Sequence, residues 1–294
     1  MTGGYKFFLL LLFLPPILKA QDSTSTLNET VNHKRLRTML IAGGVGYALT
    51  LYGLNELWYK DSERQSFQFF NDNAEWKQVD KLGHFYSSFY LSFGASKAYQ
   101  WCSVPKRKSD FYGALTGFLI MLPIEIMDGY SDAYGASTGD LLANAGGSLF
   151  YLGQSLLWKE PRIYPKFSFH RTDYAQERPN VLGDNLLSEM LKDYNGQTYW
   201  LSFDMDKFTK FPKWLNLAVG YGADGMVYAH DNINTQLGYN AHRQYYFTLD
   251  PDLTAIHTRS KFLKTAFFII SMVKLPSPTI EFSSNGTKFH MFYF

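Results

Sequence analysis

The chain carries a single cysteine, Cys102, in 294 residues. An intramolecular disulfide is therefore excluded, and so are metal centres built on cysteine clusters. Charge is scarce as well. Only 18% of the residues are Asp, Glu, Lys or Arg, and the net charge is +2. No basic block of the kind that binds nucleic acid is present. The basic runs His33-Lys34-Arg35-Leu36-Arg37 and Lys106-Arg107-Lys108 are short. They suit solvated helix flanks or contact with anionic headgroups. Also missing are a Gly-rich phosphate loop, a G-x-S-x-G elbow, an HExxH pair and the Pro-Ser-Gly-His element of lipid phosphatases.

What the chain has in quantity is aromatic: 18% of residues are Phe, Trp or Tyr, within a hydrophobic fraction of 46%. Aromatic-rich and charge-poor is a composition of membrane interfaces and cell envelopes. Residues 1–20 read as a secretory signal peptide. Lys6 precedes the apolar run Phe7 to Leu14, Pro15-Pro16 breaks it, and Ala20 offers a small residue before Gln21. No cysteine follows that run, so a lipid-modified N-terminus is not expected. Residues 21–32 are polar and read as flexible.

Four apolar segments follow. Thr38 to Asn55 is uncharged and rich in glycine, which predicts a helix packed closely on others. A second helix is expected over Lys81–Cys102, ended by Pro105. A third is expected over Asp110–Met127, kinked by Pro123. A fourth is expected over Asp140–Trp158. Beyond residue 160 short alternating runs take over, at Tyr199–Met205, Leu215–Tyr221, Tyr245–Leu249 and Thr279–Phe282. Asn285-Gly286 suits a hairpin into Lys288–Phe294. Phe262–Val273 reads as a helix. The expected fold class is α+β, with an N-terminal apolar four-helix bundle at 33–160 and a β-rich region with one helix at 161–294.

The charges argue against a simple inner-membrane protein. After cleavage at Ala20 both basic runs would lie outside the cytoplasm, the reverse of the positive-inside rule. The expectation is an exported protein of the periplasm or outer membrane of a Gram-negative bacterium, its helices buried in one another or dipping into a bilayer. A terminal aromatic strand ending in Phe294 is how many outer-membrane barrels end. The plainer reading is an edge strand of a small sheet.

Three polar pairs interrupt the apolar helices: Asp80 with His84, Glu125 with Asp128, and Asp140 with Asn144. Spacings of three and four place each pair on one helical face. If the helices run antiparallel, all six side chains gather at one end. An imidazole beside a carboxylate could be an oriented base or a pair of metal ligands. The plain alternative is a structural network, with Asp80 as an N-cap, and with Ser137 as N-cap and Asp140 at the third helical position. Glu125 and Asp128 sit at a helix C-terminus, the unfavourable end for negative charge, and need a donor or a cation there.

The strings Asp80-Lys81-Leu82-Gly83-His84-Phe85, Glu125-Ile126-Met127-Asp128-Gly129 and Asp140-Leu141-Leu142-Ala143-Asn144-Ala145-Gly146-Gly147 resemble the YfiM-like family of predicted periplasmic or envelope proteins of unknown function. They are more distantly similar to the VanZ-like membrane family. The resemblance spans about residues 78–155 and implies an envelope protein without an assigned reaction. Two function classes fit. One is a non-enzymatic, membrane-associated component that binds a lipid, a cell-wall fragment or a partner protein. Its polar network would be Asp80, Lys81, His84, Glu125, Asp128, Asp140 and Asn144. The other is a metal-assisted hydrolase or transferase of a lipid or cell-wall intermediate, with His84, Asp80 and Glu125 as catalytic candidates.

Overall fold

The computed structural model describes residues 30–59, 63–132 and 135–293. The expected signal peptide and most of the polar segment after it lie outside the described residues. The chain divides into two compact units. A helical unit takes Met1–Asn71 and Ser87–Lys159, and a sheet unit takes Asp72–Tyr86 and Glu160–Phe294. The architecture is α+β, with the long helices N-terminal.

The helical unit contains α1 (His33–Leu54), most of α2 (Val79–Trp101), α3 (Lys106–Gly129) and α4 (Thr138–Trp158). Asn32 caps α1 by accepting from the Arg35 amide at 3.0 Å. α3 runs unbroken through Pro123. The helices are 21 to 24 residues long, about 32–36 Å at 1.5 Å per residue. A two-residue parallel pair, β1 (Phe69–Phe70) with β2 (Ala136–Ser137), fixes the chain just before α4.

Much of the interior of this unit is small and polar. α2 presents Ser88, Ser92 and Ser96 at four-residue intervals, and all three are fully buried. α3 meets them with Gly113 and Gly117. A Cβ at Gly117 would lie 2.2 Å from Ser92 Oγ and 2.6 Å from Ser92 N, so the two backbones all but touch. α4 adds Ser148, which lies 2.7 Å from the Ser88 hydroxyl. Farther along, buried Asp110 accepts from Ser96 and Tyr151, each at 2.8 Å, and pairs with Lys106. Phe89, Met121 and Tyr151 are buried among them, but many aliphatic side chains point outward. Leu40, Val45 and Leu49 on α1, Leu115 and Leu119 on α3, and Leu142, Leu149 and Leu157 on α4 are all exposed. α1 buries no residue at all. The packed centre is thus made by α2, α3 and α4, and a four-helix bundle is more than the contacts carry.

The sheet unit is built on six antiparallel strands in sequential order. They are β3 (Ile163–Phe169), β4 (Gln197–Phe203), β5 (Leu215–Asp224), β6 (His242–Pro251), β7 (Ser277–Ser283) and β8 (Gly286–Tyr293). The one helix expected here is α9 (Lys261–Ser271), but the described region also holds α5 (Tyr174–Glu177), α6 (Pro179–Leu182), α7 (Leu186–Lys192) and α8 (Asp231–Gln236). These four are short, and their loop-like compositions hide a single turn or two of helix from any periodicity count. β3 was not foreseen. It contains Pro165, which reads as a breaker, but β3 is the end strand of the sheet, where proline is tolerated. The β3 edge is covered on its far side: Phe167 N donates to Met272 O, and Lys274 N donates to Phe167 O.

The sheet curls. Adjacent strands sit about 4.8 Å apart, so β4 and β8 would be about 19 Å apart if flat. The Thr198 and Tyr293 hydroxyls are nevertheless 3.1 Å apart, and the Tyr293 hydroxyl donates to that of Tyr246 at 2.7 Å. The concave side is polar. Lys166 Nζ is 2.6 Å from Asp250 Oδ2, Ser202 donates to the same oxygen, and Lys274 lies 3.8 Å from Oδ1. Lys274 also stands over the Trp200 ring, 5.4 Å from its centre.

Candidate functional site

The sequence placed six side chains at one helical end; within each unit the structure shows what each of them does. In the helical unit Glu125 occupies the last turns of α3 and is 2% exposed. Its Oε2 accepts from Ser137 N at 3.3 Å and its Oε1 from Asn144 Nδ2 at 3.4 Å. Ser137 is both the end of β2 and the N-cap of α4, and its hydroxyl accepts from Asp140 N at 3.1 Å. A carboxylate that would be disfavoured by the C-terminus of its own helix is thereby met by the backbone amide of the next helix's N-cap and by the Asn144 side chain. Asn144 is fully buried, and its carbonyl accepts from Ser88 at 2.6 Å. Glu125, Ser137, Asp140 and Asn144 are thus one connected set. Asp128 has a different partner: it accepts from the Tyr59 hydroxyl at 2.6 Å.

In the sheet unit, Asp80 is not the cap of α2 but its second residue. Lys81 Nζ lies 2.9 Å from Asp80 Oδ2 and 2.6 Å from Asp72 Oδ2, and all three side chains are nearly buried. The approach to this turn is strained. Trp76, Lys77 and Gln78 all have positive φ, at 44°, 48° and 64°. Left-handed backbone costs about 1–2 kcal/mol per non-glycine residue, so the turn needs outside support. It has three: Trp76 N donates to Ala229 O, the Tyr221 hydroxyl to Lys77 O, and Lys77 Nζ pairs with Asp231 at 2.6 Å. Gly83 is required by close approach, because a Cβ there would lie 2.9 Å from the Tyr199 hydroxyl.

α2 is one helix across the boundary of the units, so its own geometry orders its side chains. Asp80, His84, Ser88, Ser92 and Ser96 recur every four residues, each about 40° farther round the helix than the one before. His84 stands one turn before Ser88, the donor to Asn144.

Residues 68–154 match a family model, and its description is "Predicted periplasmic lipoprotein (DUF2279)". The chain is an exported envelope protein, of the periplasm or outer membrane. The matched stretch contains all seven residues expected in the polar network, together with Asp72 and Ser137. No curated protein and no solved structure matches the chain. The word lipoprotein describes the family. The single cysteine of this chain, Cys102, is buried just past the end of α2.

Two parts of this arrangement had no signal in the sequence. Asp72 lies in a mixed stretch where no periodicity singles out one acid. The Asp110 centre was hidden because Asp110 reads as the opening residue of a helix, whereas α3 begins a turn earlier, at Lys106.

Proposed function

We propose that the protein is a membrane-embedded, non-enzymatic component of the cell envelope, one that binds a lipid, cell-wall fragment or partner protein. The observation that carries this reading is the reversed polarity of the helical unit. Hydroxyls, glycines and amides line much of its interior, around Phe89, Met121 and Tyr151, and exposed leucines cover much of its outside. In water the opposite arrangement is favoured, by about 25 cal/mol per Å² of apolar surface removed from solvent. In a bilayer, helices associate through small residues at close backbone approach and through hydroxyl hydrogen bonds. The Gly113 and Gly117 contacts with the serines of α2 are of that kind. The helix lengths match a hydrocarbon core of about 30 Å. Among the described residues only α3 meets the length and hydropathy expected of a span on its own.

The polar end supports a structural or ligand-binding role over a catalytic one. Lys81 closes Asp80, and the start of α4 closes Glu125. The YfiM-like and VanZ-like likeness of the same stretch fits an envelope protein of this kind. The rival reading makes Asp80, His84, Glu125 and Asp140 donors to a divalent cation in a hydrolase or transferase. What favours it is that the Glu125 contacts, at 3.3 and 3.4 Å, are long for a charged acceptor.

One experiment separates these. Membranes from cells making the full chain are washed with alkaline carbonate and then extracted with a mild detergent, and the purified protein is assayed for metal. The expected result is retention through carbonate, release by detergent, and no stoichiometric metal in wild type. Recovery in the soluble periplasmic fraction would sink the membrane reading. Stoichiometric metal lost in His84→Ala and in Glu125→Gln would transfer the site to the rival.

A further inference from the structure

The sheet unit is inverted in the same sense as the helical one, and this observation stands on the sheet alone. Along β6 the exposed side chains are Tyr245, Phe247 and Leu249, while Tyr246, Thr248 and Asp250 between them are buried. β7 repeats the pattern, with Ile280 and Phe282 exposed and Thr279 and Glu281 buried. Strand alternation therefore aims the apolar set outward and Lys166 and Asp250 inward, where Lys274 from the segment before β7 joins them. In a water-soluble sheet one such slip of register would be selected against at every position. Here five consecutive pairings, from Gln244↔Ser283 to Thr248↔Thr279, hold it in place.

α9 adds a second, independent feature of the same unit. It has no buried residue, and Phe262 is 79% exposed beside exposed Leu263 and Ile270. Its first turn carries Lys261 and Lys264, with Arg259 just before it, and no acidic residue occurs between Leu253 and Ile280. A short helix with aromatic and aliphatic side chains beside a basic end is the form of an interfacial anchor, drawn to negative headgroups.

We propose that the convex apolar face of the sheet, formed by Val219, Phe247, Leu249, Ile280 and Phe282, is seated against the acyl chains of an anionic phospholipid bilayer, with α9 lying in the headgroup layer. The occupant follows from the two observations together. A protein partner of ordinary composition would satisfy the apolar face, but it would not call for a basic amphipathic helix with an exposed aromatic first turn in the same unit. A bilayer with anionic headgroups satisfies both.

The test uses the full chain, with Cys102→Ser and a single new cysteine carrying a nitroxide at Val219, Phe247, Phe282 or Leu263. Thr254 serves as the water control and Leu149 on α4 as the control for the helical unit. The labelled proteins are reconstituted in vesicles of phosphatidylethanolamine and phosphatidylglycerol. Collision rates with oxygen, which concentrates in lipid, and with a water-soluble nickel chelate are then compared. The expected result is that the three sheet labels and Leu263 favour oxygen over nickel several-fold relative to Thr254. Sheet labels as open to nickel as Thr254, with Leu149 still in lipid, would overturn this proposal and leave the helical reading standing. Sheet labels shielded from both reagents would overturn it too, by showing protein on that face. If Leu149 also reads as water, the membrane reading of the helical unit fails separately.

Discussion

In the helical unit the buried polar groups are mainly neutral, serine hydroxyls and the amides of Asn144 and Gln154, with the acids Asp110, Glu125 and Asp140 toward the ends. In the sheet unit charged groups take a larger share, with two lysines on one aspartate inside the curl. The difference reflects how much space each architecture leaves. Helices that meet at Gly113 and Gly117 leave room only for small side chains between them. A curled sheet leaves a concavity that long side chains must fill, and lysines fill it with their stems as much as with their charge. The helical interior should therefore be sensitive to added volume, and the sheet interior to lost charge.

The sheet side of that comparison carries the largest expected effect. Asp250→Ala would leave the ammonium groups of Lys166 and Lys274 buried without their carboxylate. A loss of about 3–5 kcal/mol is expected, read from denaturant unfolding in detergent. Replacing all three together, Lys166→Met and Lys274→Met with Asp250→Leu, should recover much of it. If the single change costs nothing, the charges are not what holds the interior.

The helical side comes next. Gly117→Val would drive a methyl-bearing carbon into Ser92 N and Ser88 O. A loss of about 1–3 kcal/mol is expected. Gly43→Ala on α1, where nothing lies within 4 Å, should instead stabilise by about 0.5–1 kcal/mol through helix propensity. Equal effects at the two glycines would break the argument from close approach.

The smallest effect sharpens the comparison at the sheet's loop end. Asp204 follows β4, and burial, the neighbouring Asp206 and then Asp252 push its carboxyl up to about 7 from an ordinary 3.8. The folded state then holds a proton that the unfolded state has released. Its contribution to stability is present below about pH 4 and is lost as the pH rises to about 7. Melting temperatures of wild type and Asp204→Asn should diverge across that window, the wild type falling relative to the variant. Parallel curves would show that Asp204 titrates normally.

Much of the secondary structure was legible before any tertiary information. Helices α2 to α4 lie within a few residues of their expected positions, because Pro105 and the turn before Ser137 punctuate long apolar runs. The Ser137 cap was readable from its spacing to Asp140. β4 to β8 announced themselves by alternation and by the Asn285-Gly286 turn. β3 did not, since Pro165 masks a strand whose end position in the sheet is not a local property. The partners of the site residues were equally hidden. Asp72 reaches Lys81 only because of the left-handed turn at Trp76–Gln78, and three consecutive positive φ values in non-glycine residues have no local signature.

Spacing along the chain determined which residues share a face: serine with serine on α2, leucine with leucine on α4, phenylalanine with leucine on β6. It could not determine which face is the inside, because periodicity is unchanged when inside and outside are exchanged. Only the tertiary structure decided that the α2 serines, Gly113, Gly117, Lys166 and Asp250 turn inward and that Leu142, Leu149, Phe247 and Phe282 turn outward. The physical reason is that burial is a relation between elements, set where backbones approach and where side chains can still find donors. A pattern within one element carries no record of it.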